Sequence, residues 1–168
     1  MASNDMYLIL GHVGIGTTAP GALLEVNGTI KGNTPAVTAY SETTQTTTTR
    51  NAWVTSTALQ VTVPVTGKYL VQASARAYPI GAADNWWKAR VYNQTQGTQA
   101  CVFLGFGYAG TGGFSKGDGT ASQTTIASFN AGDVVVLQFS INGGDTGSVY
   151  LVGDGNGGSS LSLLRVSN

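Results

Sequence analysis

Apolar and polar residues alternate along much of this chain with a period of two. In the stretch 67–78, Tyr69, Val71, Ala73, Ala75 and Ala77 share one face, while Leu70, Gln72, Ser74, Arg76 and Tyr78 share the other. Successive side chains of a strand point to opposite sides of its sheet, so this stretch predicts a long strand with one core face. In 133–141, Val135, Leu137, Phe139 and Ile141 form one apolar face, and Val134 and Val136 begin a second. Further strands are predicted near 36–40, 52–55, 57–63, 86–93, 98–104, 121–129, 147–152 and 160–167, separated by Gly, Asn, Asp and Pro turns. No window of a dozen residues carries the i, i+3, i+4, i+7 apolar stripe of a helix. Short strands at this spacing predict an all-β sandwich or jelly roll. Faces that are apolar on one side and mixed on the other suit a sandwich partly covered by a partner.

Two segments stand outside this pattern. Residues 43–49 (TTQTTTT) are low in complexity and read as an exposed strand edge or a loop. Residues 13–32 (VGIGTTAPGALLEVNGTIKG) are Gly-rich and too short to form a core. Leu23, Leu24, Val26 and Ile30 in that segment are apolar with no local partner to bury them. Three copies packed around an axis would bury them. A phosphate-loop reading of Gly14–Thr18 fails, because the Gly-Lys-Ser/Thr ending is missing and no helix follows.

The same segment resembles a short repeat of phage tail fibres and of bacterial adhesive fibres, including those of predatory bacteria. That repeat reads roughly V-G-I-G-T-x-x-P followed by L-x-V-x-G-x-I. Its positions are present here as Val13, Gly14, Ile15, Gly16, Thr17, Pro20, Leu24, Val26, Gly28 and Ile30. The resemblance implies intertwined trimeric β-structure preceding a C-terminal domain. The expected organisation is therefore a lead-in at 1–12, a fibre repeat at 13–33 and a jelly-roll tip at 34–168.

Residues 36–167 resemble a second family, the tumour-necrosis-factor and complement-C1q-like jelly rolls. The resemblance rests on four landmarks in order: AVTAY at 36–40, VPVTGKYL at 63–70, IASFNAGDVVVL at 126–137 and SLSLL at 160–164. Gly132-Asp133 in the third makes a tight turn between two buried strands. Trp86-Trp87 and the loop 105–119 have no counterpart in that pattern. The resemblance implies a homotrimer with the first, central and last strands toward its axis. It places Leu70 and Gln72 of the central strand, and Ile126 before the hairpin, at the trimer interface. Both resemblances imply the same oligomer.

Composition then narrows the function. Of 168 residues only 10% are charged, and eight basic side chains balance eight acidic ones. An average soluble domain carries roughly 25%. No basic surface for nucleic acid or anionic lipid is expected, and no apolar run approaches the length of a membrane-spanning helix. Met1–Leu10 shows neither a basic n-region nor a cleavage site, so no secretory signal is expected there. An extracellular location, on a virion tail fibre or a bacterial surface fibre, follows from the fibre resemblance alone.

Catalysis is not expected. A nucleophile–base pair would require the single cysteine, Cys101, with the single histidine, His12. Cys101 lies in an apolar strand and reads as a buried inert thiol. Asp84, Asp118, Asp133, Asp145 and Asp154 are scattered among turns, whereas a glycosidase needs two carboxylates facing across a cleft. None of the Gly-rich loops matches a calcium-loop spacing, so no metal or cofactor is expected.

Binding has better support. Trp86 and Trp87 are adjacent and point to opposite faces of a strand, so one is core and the other partly exposed. They follow a turn at Ala83-Asp84-Asn85, and the loop GFGYAGTGGFSKGDG carries Phe106, Tyr108 and Phe114 among glycines. Long loops in compact domains are often functional. Aromatic faces stack on sugar C–H faces while Asn and Asp bond hydroxyls. Asn85, Trp86, Trp87, Phe106 and Tyr108 are therefore the candidate ligand residues of a shallow site for a cell-surface glycan of lipopolysaccharide or capsule type. The low charge favours a neutral glycan. A ligand-free trimerisation cap, or a glycan depolymerase, are the alternatives.

Overall fold

The computed structural model describes residues 6–28, 35–41, 43–81, 86–105, 108–109, 115–116, 119–142, 147–153 and 158–167. They fall into two units, Met1–Asn33 and Thr34–Asn168. Among the described residues the regular structure of both is strand, without helix.

In the first unit β1 (Met6–Ile9) and β2 (His12–Ile15) form an antiparallel hairpin, and β3 (Leu24–Val26) runs parallel to β2. Leu10 and Gly11 both take positive φ, 50° and 84°, as a two-residue hairpin turn of the right twist requires. The glycines of the VGIGT stretch have distinct physical reasons. A Cβ on Gly14 would collide with the Thr17 carbonyl oxygen. Gly16 has φ +71°, and a Cβ there would sit 2.9 Å from the Asn27 carbonyl oxygen. The returning chain is tied on by Val13 N donating to the Leu23 carbonyl and Asn27 N to that of Ile15, each at 2.8 Å. The described residues of this unit form no core of their own. Among its described residues only Gly14 is buried, and Leu8 and Leu23 are each 75% exposed.

The second unit comprises β4 (Ala36–Tyr40), β5 (Gln45–Thr47), β6 (Val54–Thr62), β7 (Gly67–Gly81), β8 (Trp86–Asn93), β9 (Thr98–Gly105), β10 (Tyr108–Ala109), β11 (Ser115–Lys116), β12 (Gly119–Phe129), β13 (Val134–Asn142), β14 (Gly147–Leu151) and β15 (Ser160–Ser167). Two antiparallel sheets hold most of them. One runs β4-β15-β7-β14-β5, with β12 on the other edge of β7; the other runs β6-β13-β8-β9. Strand β7 is long enough to pair β12 along one edge and both β15 and β14 along the other.

Between the sheets lies the core foreseen from the alternation. Tyr69, Val71, Ala73, Ala75 and Ala77 of β7 are buried, as are Val135, Leu137, Phe139 and Ile141 of β13. Tyr69 packs its ring against Phe129 at 6.0 Å between centroids, and its hydroxyl donates to the Val65 carbonyl at 2.6 Å. That bond satisfies the polar end of an otherwise apolar side chain.

Three expectations change in detail. The separate strands expected at 52–55 and 57–63 are one strand, β6, carrying a bulge. Its register against β13 shifts between Val136 and Gln138, and Ser56 Oγ accepts from Leu59 N at 3.1 Å to hold the extra residues. The threonine tract supplies a short edge strand, β5, paired with β14. Within the stretch expected to be a loop at 105–119, β10 and β11 pair as a small hairpin.

The turn between β12 and β13 is fastened by one carboxylate. Asp133 is 3% exposed. Its Oδ2 accepts from Asn93 Nδ2 at 2.8 Å, Gln96 Nε2 at 2.7 Å and Asn130 N at 2.9 Å. These bonds tie the β8–β9 turn to the β12–β13 turn. Asp133→Ala leaves the buried Asn93 amide without its acceptor, and is expected to destabilise the domain by about 3 kcal/mol in urea unfolding.

Candidate functional site

The sheet containing β7 has an outward face that no other described strand of the second unit packs over as a layer. Antiparallel register aligns Ala36, Leu164, Leu70 and Ile126 in one row across β4, β15, β7 and β12. Ile126 is 62% and Leu164 43% exposed, and Leu70 is half-buried. The next row is polar: Thr38, Ser162, Gln72 and Thr124. Thr38 Oγ1 donates to Ser162 Oγ at 3.1 Å. A shallow depression of about 290 Å³ lies among Gln72, Ser74, Ser122, Ser160 and Ser162. Further along β7, Tyr78 stacks on Tyr150 with centroids 5.1 Å apart and planes 4° from parallel. This face is therefore an apolar row, a hydroxyl-rich middle and an aromatic pair.

The outward face of the other sheet differs in chemistry. Strand β8 alternates half-buried and buried residues. Trp86, Lys88, Arg90 and Tyr92 thus point away from the core, while Trp87, Ala89, Val91 and Asn93 point into it. Trp53, just before β6, meets two of them: Lys88 Nζ is 4.9 Å and Arg90 Cζ 4.3 Å from its ring centroid. Arg90 Cζ is also 4.3 Å from the Tyr92 ring. Cations over aromatic faces attract the ring quadrupole. The Arg90 guanidinium is held from below: its Nε donates to Gln138 Oε1 at 2.7 Å, and Gln138 Nε2 donates to Thr55 Oγ1 at 2.9 Å. Its Nη1 donates to Gln99 Oε1 at 3.4 Å. Burial lowers the Arg90 pKa from its ordinary value, with Tyr92 opposing; arginine remains charged all the same.

The expected ligand residues separate under this geometry. Trp87 is fully buried, opposite Ile141 of β13, so its ring belongs to the core rather than to a ligand surface. Its inward position follows from the parity of β8 against the apolar face of β13. Trp86 takes the opposite, outward side. Tyr108 lies in β10; Asn85 and Phe106 fall outside the described residues, as does Ile30 of the fibre segment. Of the expected interface residues, Leu70, Gln72 and Ile126 occupy the uncovered sheet face, while Leu23 and Leu24 are exposed in the first unit and Val26 is half-buried there. Leu164 and Tyr40 join the same face without having been singled out, although the parity of the 160–167 and 36–40 strands carries both. Lys88, Arg90 and Tyr92 are likewise legible from their i, i+2 spacing with Trp86. Trp53 reaches them only through tertiary packing.

Cys101 is half-buried, and burial pushes its thiol pKa up, with a backbone hydrogen bond to Val91 partly opposing. A raised pKa leaves little thiolate, the nucleophilic form. Among the described residues no three His, Cys, Asp or Glu side chains cluster as metal ligands. Asp84, Asp118, Asp145 and Asp154 lie outside those residues. Among the described residues no helix is long and apolar enough to cross a membrane.

No family model matches the chain, and no curated protein matches it. Solved structures do. The Eiger TNF of S. frugiperda superposes with a TM-score of 0.55 at 14% identity, covering 80% of this chain and 94% of that one. Murine APRIL gives 0.45 at 10% identity, over 78% of this chain and 98% of that one. The VP2 subviral particle protein of infectious bursal disease virus gives 0.44 at 12%, over 81% of this chain and 38% of that one. With its two antiparallel sheets and central β7, the chain has a TNF-like jelly-roll fold.

Proposed function

We propose that this chain is the receptor-binding end of a trimeric extracellular fibre. In this reading the jelly roll associates with two further copies through the outward face of the β7 sheet. The VGIGT segment continues the stalk, and the trimer adheres to a cell-surface glycan without cleaving it. The observation that carries the reading is the row Ala36–Leu164–Leu70–Ile126, an apolar band on an otherwise finished domain. Burying a leucine or isoleucine side chain fully contributes about 1.5–3 kcal/mol, and a trimer would bury three large ones per copy. The bare leucines of the first unit give independent support, because its described residues form no core and partners would be needed to bury them. The exposed fibre motif and the low charge fit adhesion better than catalysis.

The test is a glycan array probed with the purified chain, with and without calcium, followed by assay for released reducing ends. The expected result is binding to a narrow set of lipopolysaccharide or capsule sugars, lost in Trp86→Ala, with no sugar released. Silence on the array would replace adhesion by a ligand-free trimerisation cap. Release of reducing ends would replace it by a depolymerase.

A further inference from the structure

The outward strip of β8 concentrates charge in a chain that has little of it. The chain has only eight lysines and arginines, yet Lys88 and Arg90 stand two residues apart on one face, bracketed by Trp86 and Tyr92 and capped by Trp53. Strand spacing makes this an aromatic–cation–cation–aromatic strip about 20 Å long. Among the described residues neither cation has a carboxylate partner. The Arg90 bonds to Gln138 and Gln99 engage Nε and Nη1, leaving Nη2 for a ligand. Anchored in this way, the guanidinium is pre-organised, and binding would cost it little rotamer freedom.

We propose that this strip is a binding site for an acidic glycan, with the carboxylate of a uronic- or sialic-acid-type sugar on Lys88 and Arg90 and neighbouring pyranose rings stacked on the flanking aromatics. The proposal rests on the adhesion reading and specifies its ligand class; it departs from the neutral sugar that overall charge suggests. Charge complementarity selects the carboxylate: an Arg–Lys couple without a carboxylate partner among the described residues, beside a fixed hydrogen-bond network, suits one anionic group, held by charge-assisted bonds. Rings on both sides of that couple supply stacking at pyranose scale, which an isolated anion site does not need. Two cations are too few for a polyphosphate backbone, whose binding rests on many such contacts. The strip lies on the sheet opposite to the β7 face, so a trimer built on that face leaves all three strips accessible. Three weak sites on one rigid tip then bind a repetitive polysaccharide by avidity.

The experiment uses the intact chain labelled with 15N, titrated with tri-galacturonate, reading the three tryptophan indole N–H signals. Trp53 and Trp86 signals are expected to shift, while that of the core residue Trp87 stays in place. Neutral galactotriose is expected to leave all three unmoved. Lys88→Gln should weaken tri-galacturonate binding at least tenfold with unchanged oligomeric mass and melting temperature, and Arg90→Lys should weaken it less than Arg90→Gln. Raising salt from 50 to 500 mM should weaken it further. Equal binding of the acidic and neutral trisaccharides, or no loss in Lys88→Gln, would overturn the proposal. So would preferential binding of a single-stranded oligonucleotide, whose bases also stack on aromatics. Array hits confined to neutral sugars would overturn it while leaving the adhesion reading intact, whereas an array silent to every sugar would remove that reading first.

Discussion

If the proposed trimer forms through the β7 face, Leu70→Arg is expected to turn it into a folded monomer. Leu70 occupies the centre of the apolar row, paired with Leu164 on one side and Ile126 on the other. A guanidinium there would be buried without a partner in the assembled state, once in every copy, at a cost of several kcal/mol each. Each 1.4 kcal/mol is a factor of ten in association, so the dissociation midpoint should rise by at least about a thousandfold. The fold itself should survive. Tyr69 and Val71 on either side point into the core, and the Leu70 side chain lies outside it. Sedimentation velocity should show the lighter species with an unchanged far-ultraviolet spectrum. Ile126→Leu, which keeps the row apolar, should stay associated. A Leu70→Arg chain that sediments like the parent would mean that another surface holds the copies together.

The second large effect concerns Trp87, at 0% exposure the largest fully buried side chain described. Trp87→Ala should cost about 3–5 kcal/mol, through lost burial and the cavity left behind. Trp87→Phe should cost much less, about 1 kcal/mol. The reason is specific: Trp87 Nε1 is buried with no hydrogen-bond acceptor among the described residues. Phenylalanine removes that donor together with its desolvation penalty, which offsets part of the lost volume. Urea unfolding on the Leu70→Arg background separates these values from subunit dissociation, which would otherwise make stability depend on concentration. Glycan binding should be unaffected by Trp87→Phe and lost in Trp86→Ala, because adjacent residues of β8 serve opposite faces. Equal costs for Trp87→Ala and Trp87→Phe would show that the indole N–H has an acceptor after all.

How much of this was legible beforehand depended on what each residue's position required. Alternation in 67–78 and 133–141 assigned the core faces of β7 and β13 residue by residue, because a strand's parity is a local property. The same parity placed Leu70, Gln72 and Ile126 on one surface once the strands were known to be neighbours. That adjacency came from resemblance, since pairing between strands some fifty residues apart leaves no local trace. The Trp86-Trp87 pair was legible only as one in and one out. Which ring goes inward depends on the register of β8 against β13, a tertiary fact. The bulge in β6 has no periodic signature, because Ser56 closes it by a side-chain bond from Leu59 N. The Trp53 contact has none either: the residue lies before β6 yet meets Lys88 and Arg90 on β8, with β13 between those strands. A balanced total charge says nothing of placement, and so does not reveal that Lys88 and Arg90 stand side by side on β8.

One sheet presents an apolar row suited to self-association, and the other a cation–aromatic strip suited to a ligand. If assembly and recognition use opposite faces of the sandwich, as proposed, each can be altered without the other. The substitutions above are chosen accordingly: Leu70→Arg tests assembly, and Lys88→Gln and Trp86→Ala test recognition.

The central claim is the trimer. Sedimentation equilibrium of the intact chain, across micromolar concentrations, measures it directly. One chain is 17.2 kDa, so the account predicts a single species of three times that, 51.6 kDa. A concentration-independent mass of 17.2 kDa would contradict it, leaving the apolar row and the bare leucines of the fibre segment without the partner proposed for them.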